Sequence, residues 1–318
     1  MPAADVGRPM RLVLAHGGTT SGPTHRAGTR KAAKAGLARL DEGPLEAVVE
    51  ACRVLEDNAR FHAGLGGTYR MDGKTLELDA GVCCSDGRYG AVGALTGFRN
   101  PVLAARRLAD LPVNLLAGEA AAAFARRLNL AAQDLGLART RREWRHLVRK
   151  MAAGKSGPDE NEFDEPMLRD HWNYGTPFEE VFPQGLPPPR AKGSRRQRVS
   201  DTVGAVATDG HTFAAAASTS GMTSTLRGRV GDAAILGAGI LATEHGAVAC
   251  SGNGDHILRM RLASRVEAWL AEGMPAAAAA ERAVSLFRPE VDAAVTIVSR
   301  EGHAAQGNRT FAWSVATG

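Results

Sequence analysis

Short apolar runs and longer stretches with helical spacing alternate along most of the chain. Leu12-Val13-Leu14 reads as a short buried strand that ends in His16-Gly17-Gly18. Two helices are predicted next. The first starts near Pro23-Thr24 and runs to about Leu40. The second starts at Pro44, a favourable first helical position, and lines up Leu45, Val48, Val49, Cys52 and Leu55 on one apolar face. A glycine-rich turn, Ala63-Gly64-Leu65-Gly66-Gly67, leads into strands over about 75–85 and 89–95, joined by the hairpin dipeptide Asp86-Gly87. Further helices are expected over about 100–111, 118–128 and 141–152.

This patterning fails between 154 and 200. An acidic run at 159–165 is followed by Pro187-Pro188-Pro189 and a basic run at 190–198. Such composition predicts a flexible linker over 154–201, with Trp172, Tyr174 and Phe178 available to pack on the body. Strand character resumes abruptly at Asp201-Thr202-Val203-Gly204-Ala205-Val206-Ala207. It turns at Asp209-Gly210 and returns through 212–218. Continuous runs of small apolar residues suit strands covered on both faces. Helices over about 255–271 and 275–287 and strands over 293–299, 302–305 and 310–315 complete the chain. The order implies an α+β fold of one domain, with two sheets between helical layers, its first body (10–153) and second body (202–318) flanking the linker.

Composition narrows the function classes. Of 318 residues, 44% are hydrophobic and 23% charged, as in ordinary globular enzymes. The net charge of +5 comes from two short basic stretches rather than one helix face, so no nucleic-acid partner is expected. Cys52, Cys83, Cys84 and Cys250 show no zinc or redox spacing and read as reduced, buried thiols, which suits the cytoplasm. The start of the chain lacks a basic segment followed by an apolar one, so no leader is expected. No apolar run approaches the ~20 residues of a membrane span. Gly154-Lys155-Ser156 lacks the earlier glycine of a phosphate loop, since Arg149 stands there, and no Gly-x-Ser-x-Gly or HExxH motif occurs.

One junction carries chemistry. Thr202 is the first residue of a covered strand after a long charged stretch that ends at Asp201. Its hydroxyl can attack the Asp201 carbonyl, and an N→O acyl shift and hydrolysis then free the Thr202 amine. An α-amino group with a pKa of about 7.7–8.0 can serve as general base for the hydroxyl of the same residue. On local pattern alone, Thr202 reads more readily as a plain β-branched strand residue after a loop, because Asp-Thr-Val-Gly by itself is a weak signal.

Ordered motifs extend this reading. They comprise Leu55-Glu56-Asp57-Asn58 with Phe61-His62-Ala63-Gly64-Leu65-Gly66, then Glu77-Leu78-Asp79-Ala80, Gly90-Ala91-Val92, Asn100-Pro101-Val102 and Gly118-Glu119. The second half adds Asp201-Thr202-Val203-Gly204, Ser218-Thr219-Ser220-Gly221, Gly228-Arg229-Val230-Gly231-Asp232 and Ser251-Gly252-Asn253-Gly254-Asp255. From His16 to Thr310 the chain resembles the isoaspartyl peptidase/L-asparaginase family of N-terminal threonine hydrolases, with glycosylasparaginase as a close relative. The resemblance implies a four-layer αββα sandwich, autoproteolysis between Asp201 and Thr202, and a homodimer of cleaved αβ units. It makes Thr202 the nucleophile, positioned by Thr219, with Ser251 and Gly252 as the oxyanion hole. Arg229 would grip a substrate α-carboxylate, Asp232 its α-ammonium, and Gly254 would add backbone contacts. No cofactor is required, although a structural sodium ion can sit on the backbone carbonyls of Leu55, Glu56, Asn58, Phe61, Ala63 and Leu65.

The chain departs from the family pattern at His62, where asparaginases carry Asn near the nucleophile, and at Asp201, where they carry Gly. His62 would support the nucleophile by hydrogen bonding or by retuning the Thr202 amine, with a satisfied structural histidine as the alternative. Asp201 and Asn253-Gly254-Asp255 lean towards glycosylasparaginase, whereas His16-Gly17-Gly18-Thr19-Thr20 resembles the asparaginase branch. The expected activity is hydrolysis of β-aspartyl dipeptides and L-asparagine. A glycosylasparaginase, an amidase of a specialised metabolite, and an uncleaved, inactive binding relative are the alternatives.

Overall fold

The computed structural model describes residues 10–153, 165–186 and 202–318. The first body runs β1 (Leu12–His16), α1 (Arg26–Leu37), α2 (Pro44–Glu56), β2 (Leu78–Cys84), β3 (Tyr89–Leu95), α3 (Pro101–Leu108), β4 (Leu115–Ala117), α4 (Gly118–Arg127) and α5 (Ala138–Ala152). Short helices α6 (Glu165–Asp170) and α7 (Phe178–Val181) follow. The rest is β5 (Thr202–Thr208), β6 (Phe213–Thr219), β7 (Ile240–Thr243), β8 (Gly246–Gly252), α8 (Gly254–Met260), α9 (Leu262–Ala271), α10 (Ala276–Ser285), β9 (Ala293–Ser299), β10 (Gly302–Gly307) and β11 (Trp313–Thr317).

The strands form two sheets. Seven line up as β11-β1-β5-β6-β2-β3-β4 and four as β10-β9-β8-β7. Strand period two sorts their side chains. Val13, Ala15, Val203, Ala205 and Ala207 pack with residues of α1 to α4 on one side of the larger sheet. Leu12, Leu14, Val206, Ala215 and Ala217 point the other way and meet Ile240, Ala247, Ala249 and Val298 of the smaller sheet. Val248, Cys250, Val295 and Ile297, on the outer face of that sheet, pack with α9 and α10. All four cysteines are free and buried, as expected. Adjacent Cys83 and Cys84 fall on opposite faces, one between the sheets and one under the helices.

Most predicted elements occur within a few residues of their expected ends. Asp86-Gly87 and Asp209-Gly210 do turn hairpins, with Gly87 and Gly210 at positive φ (92° and 98°). Two differences matter. The helix expected over 255–271 is broken at Arg261, which adopts a left-handed conformation (φ 49°). There, the amides of Ala263 and Ser264 donate to Ala238 O (3.0 Å) and Gly237 O (2.9 Å) instead of to the preceding turn. Tertiary acceptors thus offset the break. The β7–β8 hairpin was not foreseen, because its turn, Glu244-His245, lacks glycine, asparagine and proline.

Part of the stretch read as a linker is ordered against the body. Tyr174, Phe178 and Phe182 form a buried cluster with Met71, Leu147, Met151 and Leu168, with Trp172 packed on it. Trp172 Nε1 donates to Thr176 O (2.6 Å), and the Tyr174 hydroxyl donates to Thr225 O. Aromatic burial holds this stretch on the body. The acidic run up to 164, the proline run, the basic run and Asp201 lie outside the described residues.

Candidate active site

Thr202 opens β5 and pairs in register with Thr219, the last residue of β6. Cross-strand partners share a face, so their hydroxyls are neighbours. Thr202 and Thr219 alternate in phase with Val206 and with Ala215 and Ala217, which puts both on the side facing the smaller sheet. Ser251 on β8 is in phase with Ala247 and Ala249, so it projects into the same inter-sheet layer from the opposite wall. β5 packs across β8. All three residues are buried. The loop after β1 closes on this group, and the Thr19 amide donates to Ser251 Oγ (3.3 Å).

Next to Ser251, Gly252 has φ 139°, and a Cβ there would stand 2.1 Å from Asp292 O. Only glycine fits this approach. The Asn253 side chain then caps α8 by accepting from the His256 amide (3.2 Å). The space that Gly204 leaves is taken by His16, the cross-strand partner of Gly204 on β1. A Cβ at 204 would lie 2.4 Å from His16 Nε2. Burial lowers the His16 pKa to about 3, so the ring is neutral. Neither of its nitrogens has a hydrogen-bond partner among the described residues.

Arg229, Asp232 and Gly254 come together in a second cluster. A Cβ on Gly254 would sit 2.6 Å from Asp232 Oδ1 and 2.8 Å from Arg229 Nη2. Arg229 Nε donates to Asp255 Oδ1 (3.2 Å). Nη2 lies 3.1 Å from the same oxygen but off the hydrogen-bond direction. Arg229 Nη2 and Asp232 Oδ2 are therefore buried polar atoms without hydrogen-bond partners among the described residues. Burial raises the Asp232 pKa to about 7, even though Arg229 pulls it down. A guanidinium and a carboxyl that each keep one unsatisfied atom, side by side, are complementary to a zwitterionic α-amino acid.

Sequence reasoning missed what holds this cluster in place. Fully buried Arg70 pairs with Glu77 (3.1 Å) and donates to Ser220 O (2.8 Å) and Met222 O (2.9 Å). Glu77 accepts from the Gly228 amide (2.9 Å), and Asp79 accepts from the Gly231 amide (2.9 Å). Together they clamp both ends of the segment that presents Arg229. Glu77 and Asp79 lie in a motif noted from sequence, but Arg70 has no local signal.

The His62 side chain contacts α5. Its Nε2 lies 3.3 Å from Arg139 Nη1 and 3.5 Å from Glu143 Oε2, both on α5. What reaches the Thr219 corner is the His62 carbonyl, which accepts from the Ser220 amide (3.0 Å) and Oγ (2.8 Å).

The six residues of the expected sodium loop follow α2. Carbonyls of Leu55, Asn58 and Ala63 accept local amides, while those of Glu56 and Phe61 crowd Gly64 and Gly66. Among the described residues, no group of three or more His, Cys, Asp or Glu could hold a metal ion, so an ion in this loop would depend on main-chain oxygen. The buried Glu56 carboxyl, raised to about 8 by desolvation, accepts from the Val102 amide and Asn100 Nδ2 (both 3.1 Å). No described helix is long and apolar enough to cross a membrane.

Comparison with known proteins gives the family. The asparaginase family profile matches residues 13–317. A plant-type L-asparaginase of Pyrococcus abyssi is 33% identical over 286 residues, covering 87% of this chain and 85% of its own. An isoaspartyl peptidase of Salmonella typhimurium is 35% identical, covering 83% of this chain and 77% of its own. An isoaspartyl peptidase of Escherichia coli is 36% identical, covering 76% of this chain and 68% of its own. With a profile that spans almost every described strand and relatives that align over most of their length, this chain belongs to the asparaginase family and is a hydrolase of carbon–nitrogen amide bonds.

Proposed function

We propose that this protein is a self-activating threonine amidohydrolase that releases aspartate from β-aspartyl dipeptides and L-asparagine. One observation carries the reading: Thr202, Thr219 and Ser251 face one inter-sheet layer, and an unsatisfied Arg229–Asp232 pair lies over Gly254. The three core interfaces described above fit a four-layer αββα sandwich. Maturation begins when the Thr202 hydroxyl attacks the Asp201 carbonyl. The C–N bond breaks, an ester forms on Thr202 Oγ1, and water hydrolyses it to leave a free amine and the Asp201 carboxylate. That amine takes the hydroxyl proton as Oγ1 attacks the substrate side-chain amide. Ser251 Oγ and the Gly252 amide stabilise the oxyanion, Thr219 positions the nucleophile, and the leaving amine departs protonated. Water then frees aspartate from the acyl-enzyme.

Arg229 takes the α-carboxylate through its fork, and Asp232 takes the α-ammonium. The six-carbonyl loop suits a structural sodium ion that would stiffen the turn below the site, and cleaved αβ units are expected to pair as a homodimer. Mass spectrometry of the purified protein tests maturation, with a fragment beginning at Thr202 expected. Parallel assays on a β-aspartyl dipeptide, L-asparagine and N4-sugar-linked asparagine test the substrate. An intact chain inert towards all three defeats the reading, and preference for the sugar conjugate moves it to glycosylasparaginase.

The Asp232 pKa gives a pH prediction. Below about 7 the empty site holds Asp232 protonated, whereas an ammonium partner favours the carboxylate. Binding of L-aspartate at pH 6 should therefore release a proton, and affinity should rise with pH through 7. Calorimetry in two buffers of different ionisation heat reads this directly. A buffer-independent heat at pH 6 would contradict it, and Asp232→Asn should abolish the release.

A further inference from the structure

Arg139, near the start of α5, makes contacts that no role above uses. Its Nη2 donates to Ala59 O (2.6 Å) and to Gly66 O (3.3 Å). Its Nη1 donates to Glu143 Oε1 (2.7 Å) and lies 3.3 Å from His62 Nε2. One guanidinium thus gathers both ends of the 59–66 loop and the imidazole at its middle. Glu143, four residues along the same helix, orients it. Burial acts to raise the Glu143 pKa, but His62 and Arg139 outweigh it and hold the carboxyl below its ordinary value.

The loop in turn holds the nucleophile's neighbour. The His62 carbonyl takes both the amide and the hydroxyl of Ser220, and the Thr68 amide donates to Ser220 Oγ (3.0 Å). Ser220 follows Thr219, the cross-strand partner of Thr202. We infer that Arg139 is a positioning residue for the reaction, fixing the Thr219–Ser220 corner through the 59–66 loop. This inference rests on Thr202 being the nucleophile. A planar fork with several in-plane donors can hold two carbonyls and a carboxylate together, whereas a lysine ammonium presents a single point. The loop leaves little slack, since a Cβ on Gly66 would stand 1.8 Å from Phe61 O.

The test uses the full chain with Arg139→Ala, Arg139→Lys and, as control, Arg142→Ala, an exposed arginine of the same helix. Exposed Arg60 lies inside the loop and offers a trypsin site that reports loop opening independently of activity. Arg139→Ala is expected to speed cleavage after Arg60 about tenfold and to lower kcat about tenfold, with KM within about threefold. Millimolar guanidinium should restore part of kcat, and Arg139→Lys should restore less. Arg142→Ala should match the wild type in every readout. Unchanged Arg60 cleavage overturns the inference. So does a kcat loss that guanidinium does not relieve and that follows a fall in Tm. If the wild type hydrolyses no substrate, the proposed function fails on its own, and Arg60 protection still decides whether the clamp exists.

Discussion

Thr202→Ala is expected to yield one uncut polypeptide of 33.4 kDa with no measurable amide hydrolysis. On the proposed mechanism, the substitution removes both the group that would open the Asp201 peptide bond and the group that would attack substrate. Loss of the nucleophile in related acyl-transfer machinery costs on the order of 10⁴–10⁶ in kcat. Fold stability should change little, because Thr202 heads a strand whose ladder to Thr219 and onward is main-chain. Thr202→Ser keeps a hydroxyl but loses the β-methyl that restricts χ1. It should still mature, more slowly, and retain part of the activity. Mass spectrometry after prolonged incubation, followed by assay, separates these outcomes. Normal activity from an uncut Thr202→Ala chain would move the nucleophile elsewhere.

Arg229→Ala should raise KM about 10²–10³-fold, because truncating one partner of a buried charged contact typically costs about 2–5 kcal/mol. The guanidinium is anchored at one edge by Asp255, and its Nη2 has no hydrogen-bond partner among the described residues where it stands beside Gly254. Its removal takes away the fork for a substrate carboxylate and brings Asp232 and Asp255 together without their cation. Arg229 pulls the Asp232 pKa down, so the variant should keep Asp232 protonated to higher pH and bind an ammonium less well there. kcat should fall less than kcat/KM, because the contact lies away from the reacting bond. Arg229→Lys keeps the charge and loses the fork, so most of the KM defect should remain. A substrate analogue lacking the α-carboxylate provides the check. Wild type and Arg229→Ala should handle it equally poorly, and a wild-type KM in Arg229→Ala for the full substrate would remove Arg229 from recognition.

Much of this molecule is decided locally. Continuous small apolar runs at 202–208 and 213–219, the Asp-Gly turns and the helical spacing after Pro44 place the elements that bear the candidate site. These patterns depend on neighbours a few residues apart, so they can be read along the chain. The motifs around Thr202, Arg229 and Ser251 stand out through their resemblance to the family, with glycines where main chain comes close, as at Gly252 and Gly254.

Other features depend on residues far apart in sequence, and only the tertiary structure decided them. Arg70 reaches Ser220 and Met222 about 150 positions away, and nothing near Arg70 announces a buried cation. α9 begins where it does because loop carbonyls at 237 and 238 take its first amides, a competition that helical spacing does not encode. His62 illustrates both levels. The resemblance marks its position as close to the proposed nucleophile, while in the fold its side chain contacts α5 and its carbonyl accepts from Ser220. Sequence by itself determined most of the strands and the Asp-Gly turns, because those follow from local periodicity and backbone sterics. Which partners satisfy each buried charge was set by packing, because desolvated groups take whatever donor or acceptor the fold brings within 3 Å or so.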